Sequence, residues 1–222
     1  MKDRPLFICF SGIDGSGKTT CSLELLQYLH KNGIPAKYVW LNPRTFFLTP
    51  IRALARKMIL GGMDLKENYE SYHRLRKFYS SRWQFATKVY YSFMLFDYWL
   101  WVNWNLLPYR FQGVSIICDR YIYDLAVNLG EILGYSAQEE IEFIRWIQRV
   151  FPQPSLVFVC DVDEQVAFQR KNDTPHLSYL TAHRPMYKYI AKKFQFPIVD
   201  ASRPLEAAIE QIRQVVDTHI SK

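Results

Sequence analysis

Gly12-Ile13-Asp14-Gly15-Ser16-Gly17-Lys18-Thr19-Thr20 follows the apolar run LFICF and precedes a leucine-bearing stretch. Glycines at 12, 15 and 17 admit backbone torsions that a Cβ forbids, so successive N–H groups can converge on one anion. A helix starting at 17 would add its positive end to the same place. The order matches G-x-x-x-x-G-K-[ST], and a strand before it and a helix after it are the context in which that pattern grips nucleotide phosphates. Gly12, Asp14, Gly15, Ser16, Gly17, Lys18, Thr19 and Thr20 are therefore candidate ATP contacts. Lys18 is expected on the transferred phosphoryl region and the Thr19 hydroxyl on Mg²⁺. The bland alternative is a glycine turn that happens to precede a helix, and pattern and context together outweigh it.

A second constellation is VSIICD-Arg120-Tyr121, an apolar strand candidate that ends in a carboxylate. Asp119 stands where a phosphate-loop enzyme carries the acidic group that holds the metal directly or through water. Arg120, immediately after it, offers a cation for charge building on a migrating phosphoryl group. A third is Arg170-Lys171-Asn172-Asp173-Thr174-Pro175, a basic, proline-containing segment expected to act as a lid over about 170–178 that excludes water and brings Arg170 to the phosphates. Its alternative is an ordinary helix C-terminus with cations near the negative end.

The chain has 222 residues, 49% hydrophobic and 16% aromatic, enough for one sizeable core, and no low-complexity stretch divides it. One domain over 1–222 is expected. The formal charge of +7 is concentrated: residues 44–88 hold ten cations (among them Arg44, Arg74 and Arg76) against three acids, and the remainder is neutral. Such a field favours an anionic partner, a phosphorylated small molecule or a polynucleotide, although any one of these cations read alone fits a solvated helix face. Four cysteines without CxxC spacing read as buried thiols of a reducing, cytoplasmic compartment. The opening residues lack the apolar length of a cleaved secretory signal. Residues 89–107 have the length of a membrane span but carry Asp97, Asn103 and Asn105, which are costly in lipid; a buried helix with its polar residues turned toward a cavity fits better. No membrane association is expected.

These residues need elements to hold them. Short, non-alternating apolar runs at 6–10, 37–41, 114–119, 156–162 and 196–201 read as strands covered on both faces. Helical stretches are expected at 17–32, 45–60, 69–107, 123–150 in two pieces around Gly134, 163–171 and 203–220. Alternation of the two types implies crossover connections and an open, doubly wound parallel sheet of the α/β class. The segment 69–107 is too long for a simple crossover and predicts a helical bundle beside the sheet.

Taken in order, FSGIDGSGKTT, then Asp119-Arg120-Tyr121 about a hundred residues later, then PQPSLVFVCDVDEQVAFQRK and a C-terminal VDA resemble the thymidylate kinases, a family of P-loop nucleoside monophosphate kinases. The likeness spans nearly the whole chain. It implies a P-loop NTPase fold with a five-stranded parallel sheet flanked by helices, a helical acceptor-binding region at about 44–107 and the short lid. It implies Mg²⁺-dependent transfer of the ATP γ-phosphoryl group to thymidylate. Under the same resemblance Asp14 would contact the acceptor sugar, Arg120 would steer phosphate, Arg170 would sit at the mouth of the lid and Tyr187 would match an acceptor-side tyrosine. Tyr121 joins the acceptor contacts through its motif, and the aromatic helix 89–107 would serve as a homodimer face.

Two departures concern the acceptor half. The family shows an arginine or glutamate beside a proline after its second strand, whereas this chain reads Leu41-Asn42-Pro43-Arg44. The family's long helix carries an arginine where this one reads Asp97-Tyr98-Trp99. A ring does not replace the bidentate fork of a guanidinium. Either Arg44, Arg74 or Arg76 takes over the acceptor phosphate, or the acceptor differs and meets Trp99, Trp101 or Trp104; core packing is the competing role for these aromatics. A kinase of another phosphate-bearing or nucleoside acceptor, and a non-catalytic nucleotide-binding module that holds nucleic acid, are the rival readings. A signalling GTPase is disfavoured, because Lys171-Asn172-Asp173 has the wrong order for Asn-Lys-x-Asp.

Overall fold

The computed structural model describes residues 5–42, 84–170 and 176–221. Within them lie β1 (Phe7–Ser11), α1 (Lys18–Lys31), β2 (Ala36–Trp40), α2 (Gln84–Phe111), β3 (Ser115–Asp119), α3 (Ile122–Leu133), α4 (Ala137–Gln148), β4 (Leu156–Asp161), α5 (Glu164–Arg170), α6 (Leu177–Phe194), β5 (Ile198–Asp200) and α7 (Leu205–Ile220). The five strands form one sheet in the order β2-β3-β1-β4-β5, every pair parallel. This is the doubly wound α/β architecture expected from the sequence. The expected helix at 45–60 and the first part of the stretch 69–107 lie outside the described residues.

The sheet sorts its side chains by the two-residue period of a strand. Ile8, Phe10, Ile117, Phe158 and Cys160 point to one face, where Leu25 and Leu29 of α1 and Ile212 and Val216 of α7 cover them. Cys9, Ile116, Cys118, Val157 and Val159 point to the other, against α2, α3, α4 and α6. Both faces are apolar because both are covered, which is why no strand alternates in the sequence. Helix α3 is apolar on nearly every side, and Ile122, Leu125, Ala126, Val127 and Leu129 are all buried, as befits a helix enclosed between sheet and neighbouring helices.

The helix ends follow local rules. Gly134 takes φ 70° after α3, and Ser136 with Glu139 forms a reciprocal capping box that starts α4. Two helical pieces around Gly134 are thus built into the sequence. Helix α6 is different: it carries Pro185 inside an 18-residue helix, and its periodicity did not announce it.

In α2, Asn103 and Asn105 do not turn toward a cavity as expected. Each donates from Nδ2 to a carbonyl four residues back, Trp99 O at 2.8 Å and Trp101 O at 2.7 Å, so their polarity is satisfied by their own helix. Asp97 is buried. No described helix is long and apolar enough to cross a membrane. All four cysteines are free and buried, in line with the expectation of buried thiols.

Candidate active site

The site grows from the carboxyl edge of the sheet, where β1, β3 and β4 end side by side. β1 runs into the loop 12–17, and α1 begins at Lys18 with Gly17 as its left-handed cap at φ 82°. Gly12 has φ 141° and Gly15 φ 82°. A Cβ on Gly12 would overlap the Cys160 carbonyl oxygen of β4, and one on Gly15 would overlap the Ala167 carbonyl of α5. The glycines are therefore required twice, by torsion and by the backbones pressed against the loop.

Inside the loop Lys18 is buried, and its ammonium donates to Gly12 O at 2.9 Å, Ile13 O at 2.6 Å and Ser16 Oγ at 3.4 Å. Burial lowers its pKa and Arg120 lowers it further, while Asp14, Asp124 and Asp119 pull the other way. An ammonium held only by neutral oxygens in a low-dielectric pocket is a strong attractor for an anion.

Asp119 ends β3 next to the first turn of α1. Its Oδ2 accepts from Thr19 Oγ1 at 2.5 Å and from the Tyr38 phenol at 3.0 Å. Burial, followed by the Asp119 charge, raises the pKa of Tyr38, so the phenol stays a neutral donor. The other carboxylate oxygen, Asp119 Oδ1, is buried and has no hydrogen-bond partner among the described residues. A buried carboxylate with an unused oxygen beside a threonine hydroxyl is the donor set a hard divalent cation prefers. These residues fit Mg²⁺.

Arg120 takes φ 70°, unusual for a residue with a side chain, and its backbone N–H donates to Phe10 O at 3.0 Å. This conformation brings the guanidinium back toward the loop, where Nη2 donates to Asp14 Oδ1. Burial works against the charge on Arg120, but Asp124 and Asp14 more than restore it and its pKa is raised. Asp14, Lys18, Thr19, Asp119 and Arg120 thus share one locus at the sheet edge. Arg170, the last residue of α5, donates from Nη1 to Ala201 O at 3.0 Å, which ties the base of the expected lid to the loop after β5. Residues 171–175 of that lid lie outside the described residues, as do Arg44, Arg74 and Arg76.

Two expected acceptor contacts lie away from the loop. Tyr121 is fully buried: its ring packs edge-on against Phe7 and Phe151, and its hydroxyl donates to Pro152 O at 2.8 Å, so it is a core residue with no surface for a substrate. Trp99 donates its indole N–H to Val150 O at 3.1 Å and stacks on Phe96, in an apolar groove of about 320 Å³ between α2 and the end of α4. That ring belongs to helix packing rather than to the loop. Tyr187 is buried as well, but its hydroxyl donates to Asp124 Oδ1 at 3.1 Å, so it stands one residue behind Arg120. Ser11, Tyr38 and Asp124 are the members that sequence reasoning missed; a lone acid in the first turn of an otherwise apolar helix, IYDLAVNLG, was the available signal for Asp124.

Comparison with known proteins gives a whole-chain likeness. The chain is 25% identical over 222 residues to the probable thymidylate kinase of Staphylothermus marinus, covering 96% of each chain. It is 25% identical to the thymidylate kinase of Caldicellulosiruptor saccharolyticus over 97% of this chain and 98% of that one. The chain resembles the thymidylate kinases. The probable thymidylate kinase of Archaeoglobus fulgidus, 24% identical over 97% of both chains, adds to the same likeness. No protein-family model matches the chain. The likeness to thymidylate kinases extends over 96% of this chain, and with the five parallel strands it accords with a P-loop kinase fold.

Proposed function

We propose that the chain is a kinase that moves the γ-phosphoryl group of ATP onto thymidylate, giving ADP and thymidine diphosphate. The single observation that carries this reading is the meeting of Thr19 and Asp119 across two elements, with one carboxylate oxygen left unused, at the foot of a glycine loop that encloses an ammonium group. Relatives named thymidylate kinase that match 96% and 97% of the chain support the choice of acceptor.

The loop amides and the N-terminus of α1 hold the ATP phosphates, and Lys18 transfers its hydrogen bonds from the loop carbonyls to phosphate oxygens. Thr19 and Asp119 would hold Mg²⁺, which supplies charge neutralisation on the phosphates when bound. Arg120 meets the charge that spreads over the equatorial oxygens of the group in flight. Asp14 faces the acceptor and fixes the guanidinium beside it. The acceptor phosphate is already ionised at neutral pH, so positioning and electrostatics suffice and no general base is needed.

The test is a coupled assay of ADP release from ATP and Mg²⁺ with thymidylate, deoxyuridylate, other nucleoside monophosphates and nucleosides offered in turn. Thymidylate is expected to give the highest kcat/KM. Release driven only by unphosphorylated nucleosides, or by none of these acceptors, rejects the reading.

A further inference from the structure

Asp124 is the most enclosed carboxylate in the described structure: it lies in the first turn of α3 with no exposed surface. Three hydrogen bonds and one ion pair surround it. Oδ2 accepts from Ser11 Oγ at 2.9 Å and from the Tyr121 backbone N–H at 3.1 Å. Oδ1 accepts from the Tyr187 hydroxyl at 3.1 Å and faces Arg120 Nη1 at 3.6 Å. A carboxylate offers about four acceptor sites, so three of those on Asp124 are filled by protein donors and the remaining one faces the Arg120 guanidinium. Its partners come from β1, the start of α3 and α6, and among the described residues its one cationic neighbour at ion-pair distance is Arg120.

Leaving a charge in such a place is costly unless it is compensated. Three neutral donors and a helix N-terminus compensate part of the cost. An apolar side chain or a serine would fill the site more cheaply if it only closed the start of α3. What the charge adds is a second anchor for Arg120, opposite Asp14, on a residue whose backbone is already in the left-handed region. With Asp14 on Nη2 and Asp124 toward Nη1, both terminal nitrogens of the guanidinium have an acidic neighbour.

We infer that Asp124 is a positioning residue: held in place by Ser11 and Tyr187, it fixes the guanidinium plane of Arg120 at the phosphate loop. The identity of what Arg120 then meets, a transferring phosphoryl group, rests on the kinase reading above; the hold on Arg120 does not.

Asp124→Asn keeps the shape, removes the charge and gives one acceptor oxygen where two served. With ATP and thymidylate, kcat is expected to fall by about tenfold or more while KM for ATP changes by less than about threefold, since charge-assisted contacts to a transition state act on kcat. Arg120→Met lowers kcat on its own, and adding Asp124→Asn to it should change kcat by less than about twofold, because the carboxylate works through the arginine. In parallel, the Arg120 Nε–H resonance of ¹⁵N-labelled full-length protein, identified by its loss in Arg120→Met, is expected to exchange slowly with solvent in the wild type and rapidly in Asp124→Asn. Independent, multiplying losses in the double variant, or an Arg120 resonance unchanged by Asp124→Asn, overturns the inference. If Asp124→Asn does not fold, Ser11→Ala and Tyr187→Phe each remove one restraint on the carboxylate; a smaller loss of kcat that vanishes beside Arg120→Met supports the inference, and a persisting loss overturns it. If the wild type releases no ADP with thymidylate, the kinase reading fails and the resonance experiment alone decides the hold on Arg120.

Discussion

At Gly15 the fold leaves no place for a methyl group: φ is 82° and the Ala167 carbonyl lies where a Cβ would go. Gly15→Ala should therefore displace the loop from α5 and weaken ATP binding by about tenfold or more, measurable by calorimetry, since a misplaced backbone donor loses its contact with a phosphate oxygen. Asp119→Asn is expected to spare ATP binding in the absence of divalent cation but to raise the Mg²⁺ concentration needed for half-maximal rate, because a neutral amide is a poorer ligand for a hard cation. Equal Mg²⁺ dependence in wild type and variant would remove Asp119 from the metal-holding role. At this scale the sequence was most informative where chemistry and spacing coincide in one stretch, as from Gly12 to Thr19. Tyr38 and Asp124 reach the site through space from β2 and α3, and no local pattern marks the tyrosine that bonds Asp119. Tyr121 shows the converse. It follows two site residues in the chain, but the next peptide turns it into the core.

Among the elements, α3 and α4 pack through a polar contact with a cost. Gly130 of α3 lets Glu140 of α4 lie against its backbone, and Glu140 Oε1 has no hydrogen-bond partner among the described residues. Burial pushes the Glu140 carboxyl up to about 8. In the unfolded chain it ionises near the ordinary value of 4.5. Between those values the folded state holds a proton that the unfolded state has lost, so the contribution of this group to stability falls as pH rises through the window. Glu140→Gln removes that dependence: melting temperatures of variant and wild type should be similar near pH 5, with the variant higher near pH 8. A wild type that gains on the variant as pH rises contradicts the account. On the other face, Leu25 of α1 is fully buried against Phe10 and Ile212, and Leu25→Ala should cost about 2–5 kcal/mol in denaturant unfolding. Helices with cap signals, such as Ser136-x-x-Glu139, and strands bounded by turns were legible. Helix α6 was not, because Pro185 breaks the pattern that periodicity relies on and tertiary packing of Leu180, Tyr187 and Ile190 restores the helix.

For the whole molecule, the order β2-β3-β1-β4-β5 puts β1 at the centre, with the Asp119 carboxylate of β3 on one flank and the backbone of β4 on the other. A doubly wound sheet opens its ligand crevice at such a centre, beyond the carboxyl ends of the strands. Fold class and the geometry of the glycine loop were legible because repeated strand–helix alternation and one glycine loop together admit few topologies. The expected acceptor cations, Arg44, Arg74 and Arg76, lie outside the described residues. The entire net charge of +7 falls on residues 44–88. Anionic substrates are steered by such a field, so kcat/KM for thymidylate should fall several-fold between about 0.05 and 0.5 M monovalent salt, with kcat nearly constant. The most direct measurement of the central claim compares wild type with Lys18→Met, which keeps the aliphatic stem and removes the ammonium, by chromatographic detection of thymidine diphosphate formed from ATP, Mg²⁺ and thymidylate. The wild type should form product, and the variant, melting within a few degrees of it, should form at least about a hundredfold less. Comparable product from both proteins, or none from the wild type, would contradict the account.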